Sequence, residues 1–101
     1  MRKSASEPLN KPRIGFTAVF NRQRKKAPRE IKIAFGDALA LFLEDQFHQQ
    51  LRNHPLRREL AGYRSINVTE DWRALFKVTK TDKQELITFH KIGTHKELYK
   101  K

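Results

Sequence analysis

Apolar positions change their period along this chain, and the changes mark out its elements. Between Pro28 and Asp45 they recur at helical spacing. Ile31, Phe35, Ala38 and Phe42 fall on one face, and Ala34 and Leu41 widen the stripe. This predicts a helix that covers a sheet. Pro28 suits its first turn, where a missing N–H costs nothing, and Glu30 suits the positive end of the helix dipole. Gly36 lies inside the helix at a cost of about 1 kcal/mol relative to alanine, which a close helix–sheet contact would explain. Phe47 and Leu51 would carry the packing past the helix end.

From Tyr63 onward the period falls to two. Ile66 and Val68 share one face of a strand, with Tyr63, Ser65 and Asn67 on the other. In the next strand Trp72, Ala74, Phe76 and Val78 share a face, opposed by Arg73, Leu75 and Lys77. Such alternation belongs to a sheet covered on one side. Thr81-Asp82-Lys83 reads as a turn. Leu86 to Ile92 reads as a third strand, apolar on both faces, which Gly93 ends. Ahead of the long helix, Arg13 to Ala18 reads as a short strand, and Val19 to Ala27 as a short helix with Arg22, Arg24, Lys25 and Lys26 along its outer side. Arg52 to Leu56 reads as a loop, with Pro55 holding His54 extended, and Thr94 to Tyr99 as a terminal turn.

The order predicts a single α+β domain over residues 13–101, with an N-terminal strand and two helices packed on one face of a small antiparallel sheet. Residues 1–12, polar and without periodicity, read as a flexible lead. The opposite sheet face would stand open, rimmed by Arg64, Arg73, Lys77 and Lys91.

Charge changes the picture most. The chain has 101 residues with 22 basic against 11 acidic side chains, for a net charge of +11. Residues 31–60 are close to neutral, so the excess is concentrated towards the two ends. A surplus of this size implies an anionic partner, nucleic acid or an acidic protein. The absence of cysteine excludes disulfides and thiolate metal sites. No apolar run approaches the ~20 residues that cross a bilayer, which leads to the expectation of a cytoplasmic protein with no membrane association.

The polar residues near the predicted hairpin suggest chemistry on a phosphodiester. RNA carries its own nucleophile in the 2′-hydroxyl. Cleavage then needs a base for that proton, an acid for the leaving 5′-oxygen, and cations for the charge on the phosphoryl oxygens. Histidine titrates near neutrality and suits either proton role; arginine or lysine suits the last. No metal or other cofactor is required. His54, His95, Asp71, Arg73 and Lys91 form such a set if the fold brings them together. Each also has a plainer reading: His54 as a loop buttress, His95 as a surface histidine, Asp71 as a turn residue. His90 reads as a structural strand histidine, and Trp72 as core. Tyr63 and Tyr99 suit either base stacking or anchoring of the sheet ends. A His90/His95 metal site fits no standard ligand spacing.

His54-Pro55-Leu56, Gly62-Tyr63-Arg64-Ser65-Ile66 with Val68, Asp71-Trp72-Arg73, and Ile92-Gly93-Thr94-His95 with Glu97-Leu98-Tyr99 resemble the YafQ-like branch of the RelE/ParE toxin superfamily over about residues 13–99. The resemblance implies a RelE-like fold and a type II toxin that cuts mRNA on the ribosome. It further implies a cognate acidic antitoxin that wraps the toxin in a hetero-oligomer. ParE-like members instead poison gyrase without a nuclease site, and a weakened, antitoxin-binding homologue is a third possibility. Within the resemblance, His95 is the leading acid or base, His54 and Asp71 are functional, Lys91 stands where the family often has arginine, and Tyr99 is the final aromatic of the site. Arg64, Asn67, Arg73, Lys77 and Tyr99 are then expected to contact RNA. Asn67 departs from the pattern: some relatives carry a further histidine there, and asparagine cannot shuttle a proton near neutral pH.

Overall fold

The computed structural model describes residues 12–99. The expected lead, Pro12 apart, and Lys100–Lys101 lie outside the described residues. The elements run β1 (Arg13–Phe16), α1 (Ala18–Lys26), α2 (Arg29–Glu44), β2 (His54–Pro55), β3 (Arg64–Asn67), β4 (Trp72–Lys80), β5 (Glu85–Thr94) and α3 (His95–Tyr99), with short 3-10 turns at Gln49–Leu51 and Arg58–Leu60. One five-stranded sheet has the order β1-β5-β4-β3-β2. The antiparallel meander is as expected, but β1 pairs parallel with β5, so the sheet is mixed.

The helical stripe reads correctly. Ile31, Phe35, Ala38 and Phe42 are the buried residues of α2, and they meet Phe20 from α1 and Ile66, Ala74, Phe76, Ile87, Phe89 and Ile92 from the sheet. Phe89 is the hub: its ring lies 5.3–5.9 Å, centroid to centroid, from those of Phe16, Phe20, Phe35, Phe42 and Phe76. Fully burying one such side chain stabilises the fold by ~1.5–3 kcal/mol. The Thr17 hydroxyl caps α1, accepting from Phe20 N–H at 3.0 Å and donating to the His90 carbonyl at 3.1 Å. It therefore fixes where α1 sits on β5.

Several expectations fail for identifiable reasons. Gly36 meets nothing within 4 Å of an ideal Cβ and points to solvent, so no close helix–sheet contact explains it. Leu51 is buried as expected, but Phe47 is 66% exposed, because the chain leaves the helix axis after Asp45. Arg24 does not lie along the outer side of α1. Its guanidinium packs over the rings of Phe16 and Phe20, at 4.9 and 5.5 Å. The ambiguous facing of β5 is resolved by a bulge. Leu75 pairs with Lys91 and Phe76 with Phe89, so His90 is skipped by the ladder. The extra residue breaks the period of two, and Ile87, Phe89 and Ile92 all reach the core.

The face away from α1 and α2 is not fully open either. Ser65 and Leu75, which pair across β3 and β4, are both fully buried there. Above them the segment expected to be a turn forms α3, and the Tyr99 hydroxyl donates to Ser65 Oγ at 2.9 Å. Gly93 does not end β5 but lies within it, and His54-Pro55, expected as loop, forms a two-residue strand on the sheet edge.

Candidate active site

The candidate residues gather where β2, β3 and β4 meet the start of α3. A cleft of about 530 Å³ is lined by Arg52, Asn53, His54, Asn67, Arg73, His95 and Tyr99. Each is placed by an identifiable local rule.

His95 opens α3, and the residues around it explain its position. Thr94 Oγ accepts from Glu97 N–H at 3.1 Å while Glu97 Oε1 accepts from Thr94 N–H at 2.9 Å. This reciprocal capping box starts the helix at His95. His95 N–H donates to the Asp71 carbonyl at 2.8 Å, tying the helix to the β3–β4 turn. A Cβ on Gly93 would meet Glu97 Oε1 at 3.0 Å and Leu98 Cδ2 at 3.3 Å, so a larger residue would push the cap away. His95 and Tyr99, four apart on one helix face, stack edge to face at 4.5 Å. The hydroxyl of Tyr99 anchors the pair to Ser65, which lies opposite His54 in the β2–β3 register.

His54 reaches the cleft from the edge strand. Its Nδ1 lies 2.7 Å from the Arg52 carbonyl. A carbonyl oxygen can only accept, so Nδ1 carries the hydrogen. In the neutral ring Nε2 is then the basic nitrogen. Asn53 holds the approach: its Nδ2 donates to the Gln46 carbonyl at 3.0 Å and its Oδ1 accepts from Arg64 Nε at 2.8 Å.

Asn67 and Arg73 face one another in the β3–β4 register. Arg73 Nη1 donates to the carbonyls of Thr69, Glu70 and Trp72 at 3.0, 2.9 and 3.1 Å, which locks the guanidinium to the turn. Among the described residues its other nitrogens have no protein partner. The Thr69 hydroxyl accepts from the N–H groups of Asp71 and Trp72, at 3.3 and 3.1 Å, and completes a tight connection.

Thus His54, Asn67, Arg73, His95 and Tyr99 come together, and four other expected site residues do not line the cleft. Asp71 takes part through its carbonyl, while its side chain is exposed and outside the lining. Arg64 braces the cleft wall from behind, with its guanidinium 5.5 Å over the Phe47 ring. Lys77 lies 4.6 Å over the ring of Tyr63, further along the sheet. Lys91 lines neighbouring grooves instead. The bulge sets Lys91 opposite Leu75 in the ladder, on the face that carries α3 but outside the cleft lining. His90 packs edge-on to Tyr63 at 5.3 Å, a structural role as expected. Its partial burial, then the charges of Lys77 and Lys91, hold its pKa below the ordinary value of 6.5. Sequence reasoning missed Arg52 and Asn53. The signal was their position immediately before His54, once that residue is placed in a strand rather than a loop.

Comparison with known proteins bears on the family and the fold. Residues 13–100 match the family described as bacterial toxin of type II toxin–antitoxin system, YafQ. A protein of Escherichia coli strain B/BL21-DE3 named mRNA interferase toxin YafQ is 35% identical over 48 residues, 48% of each chain. The chain therefore spans about half the length of the curated relatives it matches. The crystal structure of YafQ from E. coli strain BL21(DE3) superposes with a TM-score of 0.69 at 25% identity, covering 87% of this chain and 98% of that one. A chain of the crystal structure of the E. coli DinJ–YafQ toxin–antitoxin complex gives a TM-score of 0.67 at 25% identity, covering 88% of this chain and 98% of that one. With the family match running from β1 through α3, this chain belongs to the YafQ family of bacterial type II toxin–antitoxin toxins.

Proposed function

We propose that the chain is the toxin of a toxin–antitoxin pair and cuts mRNA on the ribosome by attack of the 2′-hydroxyl on the adjacent phosphorus. The observation that carries this reading is the convergence of His54, Asn67, Arg73, His95 and Tyr99 on one cleft. His54 takes the 2′-proton on Nε2, the nitrogen left basic by the bond between Nδ1 and Arg52. The 2′-oxygen bonds to phosphorus, the bond to the 5′-oxygen breaks, and His95 supplies the proton that the departing oxygen needs. The products are a 2′,3′-cyclic phosphate and a 5′-hydroxyl, and no metal enters the balance. Arg73, held to its turn by Nη1, offers its remaining N–H groups to the phosphoryl oxygens, where a preorganised donor is most effective. Asn67 orients the same phosphate by hydrogen bonding, and Tyr99 offers its ring to a base. Asp71 positions His95 through its carbonyl.

A net charge of +11 suits docking among ribosomal RNA phosphates, and it suits an acidic antitoxin. The relative in a toxin–antitoxin complex supports a partner of that kind. The gyrase-inhibitor reading gives no task to two imidazoles in one cleft.

Purified protein added to translating ribosomes should cut mRNA and leave 2′,3′-cyclic ends. His95→Ala should cut at least ~10²-fold more slowly, the usual worth of a positioned acid or base. Undiminished cutting by that variant, or cutting at a nucleotide lacking its 2′-hydroxyl, would reject the mechanism.

A further inference from the structure

The cleft that holds His54 and His95 does not stop at Tyr99. Tyr99 also lines a second groove, of about 480 Å³, with Arg57, Arg58, Lys91 and Leu98, and Glu59 as the opposing charge. Arg57, Arg58 and Lys91 are exposed. Among the described residues the ion pair present is Lys80 with Glu85, so none of these three cations is neutralised by a salt bridge.

The backbone singles out Arg58. Its φ is +60°, in the left-handed region, and the other non-glycine residue with positive φ is Arg52, at +49°. Left-handed geometry costs a side-chain-bearing residue roughly 1–2 kcal/mol. The turn itself does not require arginine. Its hydrogen bonds run from Leu60 N–H to the Arg57 carbonyl and from Ala61 N–H to the Arg58 carbonyl, and glycine at 58 would make the same bonds with less strain. Gly62, with φ +95°, is the glycine of the same connection. Both left-handed residues are thus arginines, and each lines one of two grooves that share Tyr99. Non-glycine residues in this region are uncommon, which directs attention to the two arginine side chains.

We propose that the second groove is a phosphate subsite for the RNA strand that runs on past the cut. Arg58, with Arg57 and Lys91 beside it, binds a flanking phosphate, while Tyr99 separates it from the phosphate being cleaved. A row of cations beside an aromatic ring and the apolar Leu98 is what a single strand requires: charge for its backbone and a flat surface for a base. The proposal rests on the nuclease reading above and extends it along the substrate.

The test is fluorescence anisotropy with fully 2′-O-methylated RNA, which lacks the nucleophile, as a dinucleotide and as an octanucleotide over a range of salt. The octanucleotide should bind more tightly and with a steeper salt dependence. Arg58→Gly should weaken the octanucleotide roughly five- to tenfold and lower its salt slope by about 0.7, one phosphate contact on a single strand, with the dinucleotide unchanged. Its melting temperature should equal or exceed the parent's, since glycine relieves the strain, so lost binding is not lost folding. Arg57→Gln, from a backbone φ of −130°, should show the same loss without any conformational change. The subsite is overturned if the parent does not favour the octanucleotide, if both variants bind it as the parent does, or if both RNAs weaken alike. Weaker co-sedimentation with ribosomes alone would assign the groove to ribosomal RNA and also overturn it. These outcomes are separate from the His95→Ala cleavage result, which decides the nuclease reading by itself.

Discussion

The two faces of the sheet divide the work of the molecule. On one, α1 and α2 press six phenylalanines into a cluster centred on Phe89. On the other, Ser65 and Leu75 lie beneath a five-residue helix held by a capping box, one tyrosine hydroxyl and one backbone bond from His95 to Asp71. The first face supplies stability that no single polar group controls. The second supplies positions, each depending on one or two hydrogen bonds. Stability and chemistry should therefore respond to different substitutions.

The largest effect expected is on the packed face. Phe89→Ala removes the ring that touches five others and should cost about 3–5 kcal/mol in chemical denaturation. A loss below about 1 kcal/mol would mean the cluster is not the stabilising unit. Gly93→Ala probes the boundary, because Gly93 is buried in β5 but its missing Cβ faces Glu97 and Leu98. It should lower cleavage about tenfold by displacing His95, with a stability loss near 1 kcal/mol from overpacking; a stability loss with full activity would break the division between the faces. Thr94→Ala removes the cap and should cost about 1 kcal/mol, seen as faster amide exchange in α3 and not in α2. The smallest effect concerns pH. Neutral His90 is favoured in the folded state, while the unfolded chain takes up its proton near the ordinary value of 6.5. Stability should then be flat above that value and decline as pH falls from it through the lowered folded pKa. His90→Gln should reduce the stability difference between about pH 7.5 and about pH 5; an unchanged difference would remove His90 as a contributor.

What was legible in the sequence follows the same division. The α2 stripe and the alternation in β4 are local periodicities, and they specified the core residues without any knowledge of partners. Element order gave a small α+β domain, and the resemblance carried by the motifs around His54, Gly62, Asp71 and His95 implied the RelE-like architecture. The bulge at His90 was not legible, because it exists only in relation to the strand opposite. A two-residue strand such as His54-Pro55 is too short to show a period, so its pairing, and with it Arg52 and Asn53, was missed. Asp71 and Lys91 matched motif positions, yet a motif fixes where a residue falls in the chain and not which way its side chain points. The capping box of Thr94 and Glu97 is readable as Thr-x-x-Glu, but five residues do not sustain a helix without tertiary support, so the segment reads as a turn in isolation.

The parallel pairing of β1 with β5 has a consequence for how the molecule comes into being. Its register joins Arg13 to Leu86 and Phe16 to Phe89, strands from opposite ends of the described chain. Closing so long a loop costs entropy before any contact repays it, and topologies dominated by distant pairings fold slowly. Phe89, Gly93 and Thr94 lie on the same strand, and His95 follows it directly. The hub of the core and the candidate active site thus both depend on β5, and a growing chain that has not yet made β5 possesses neither.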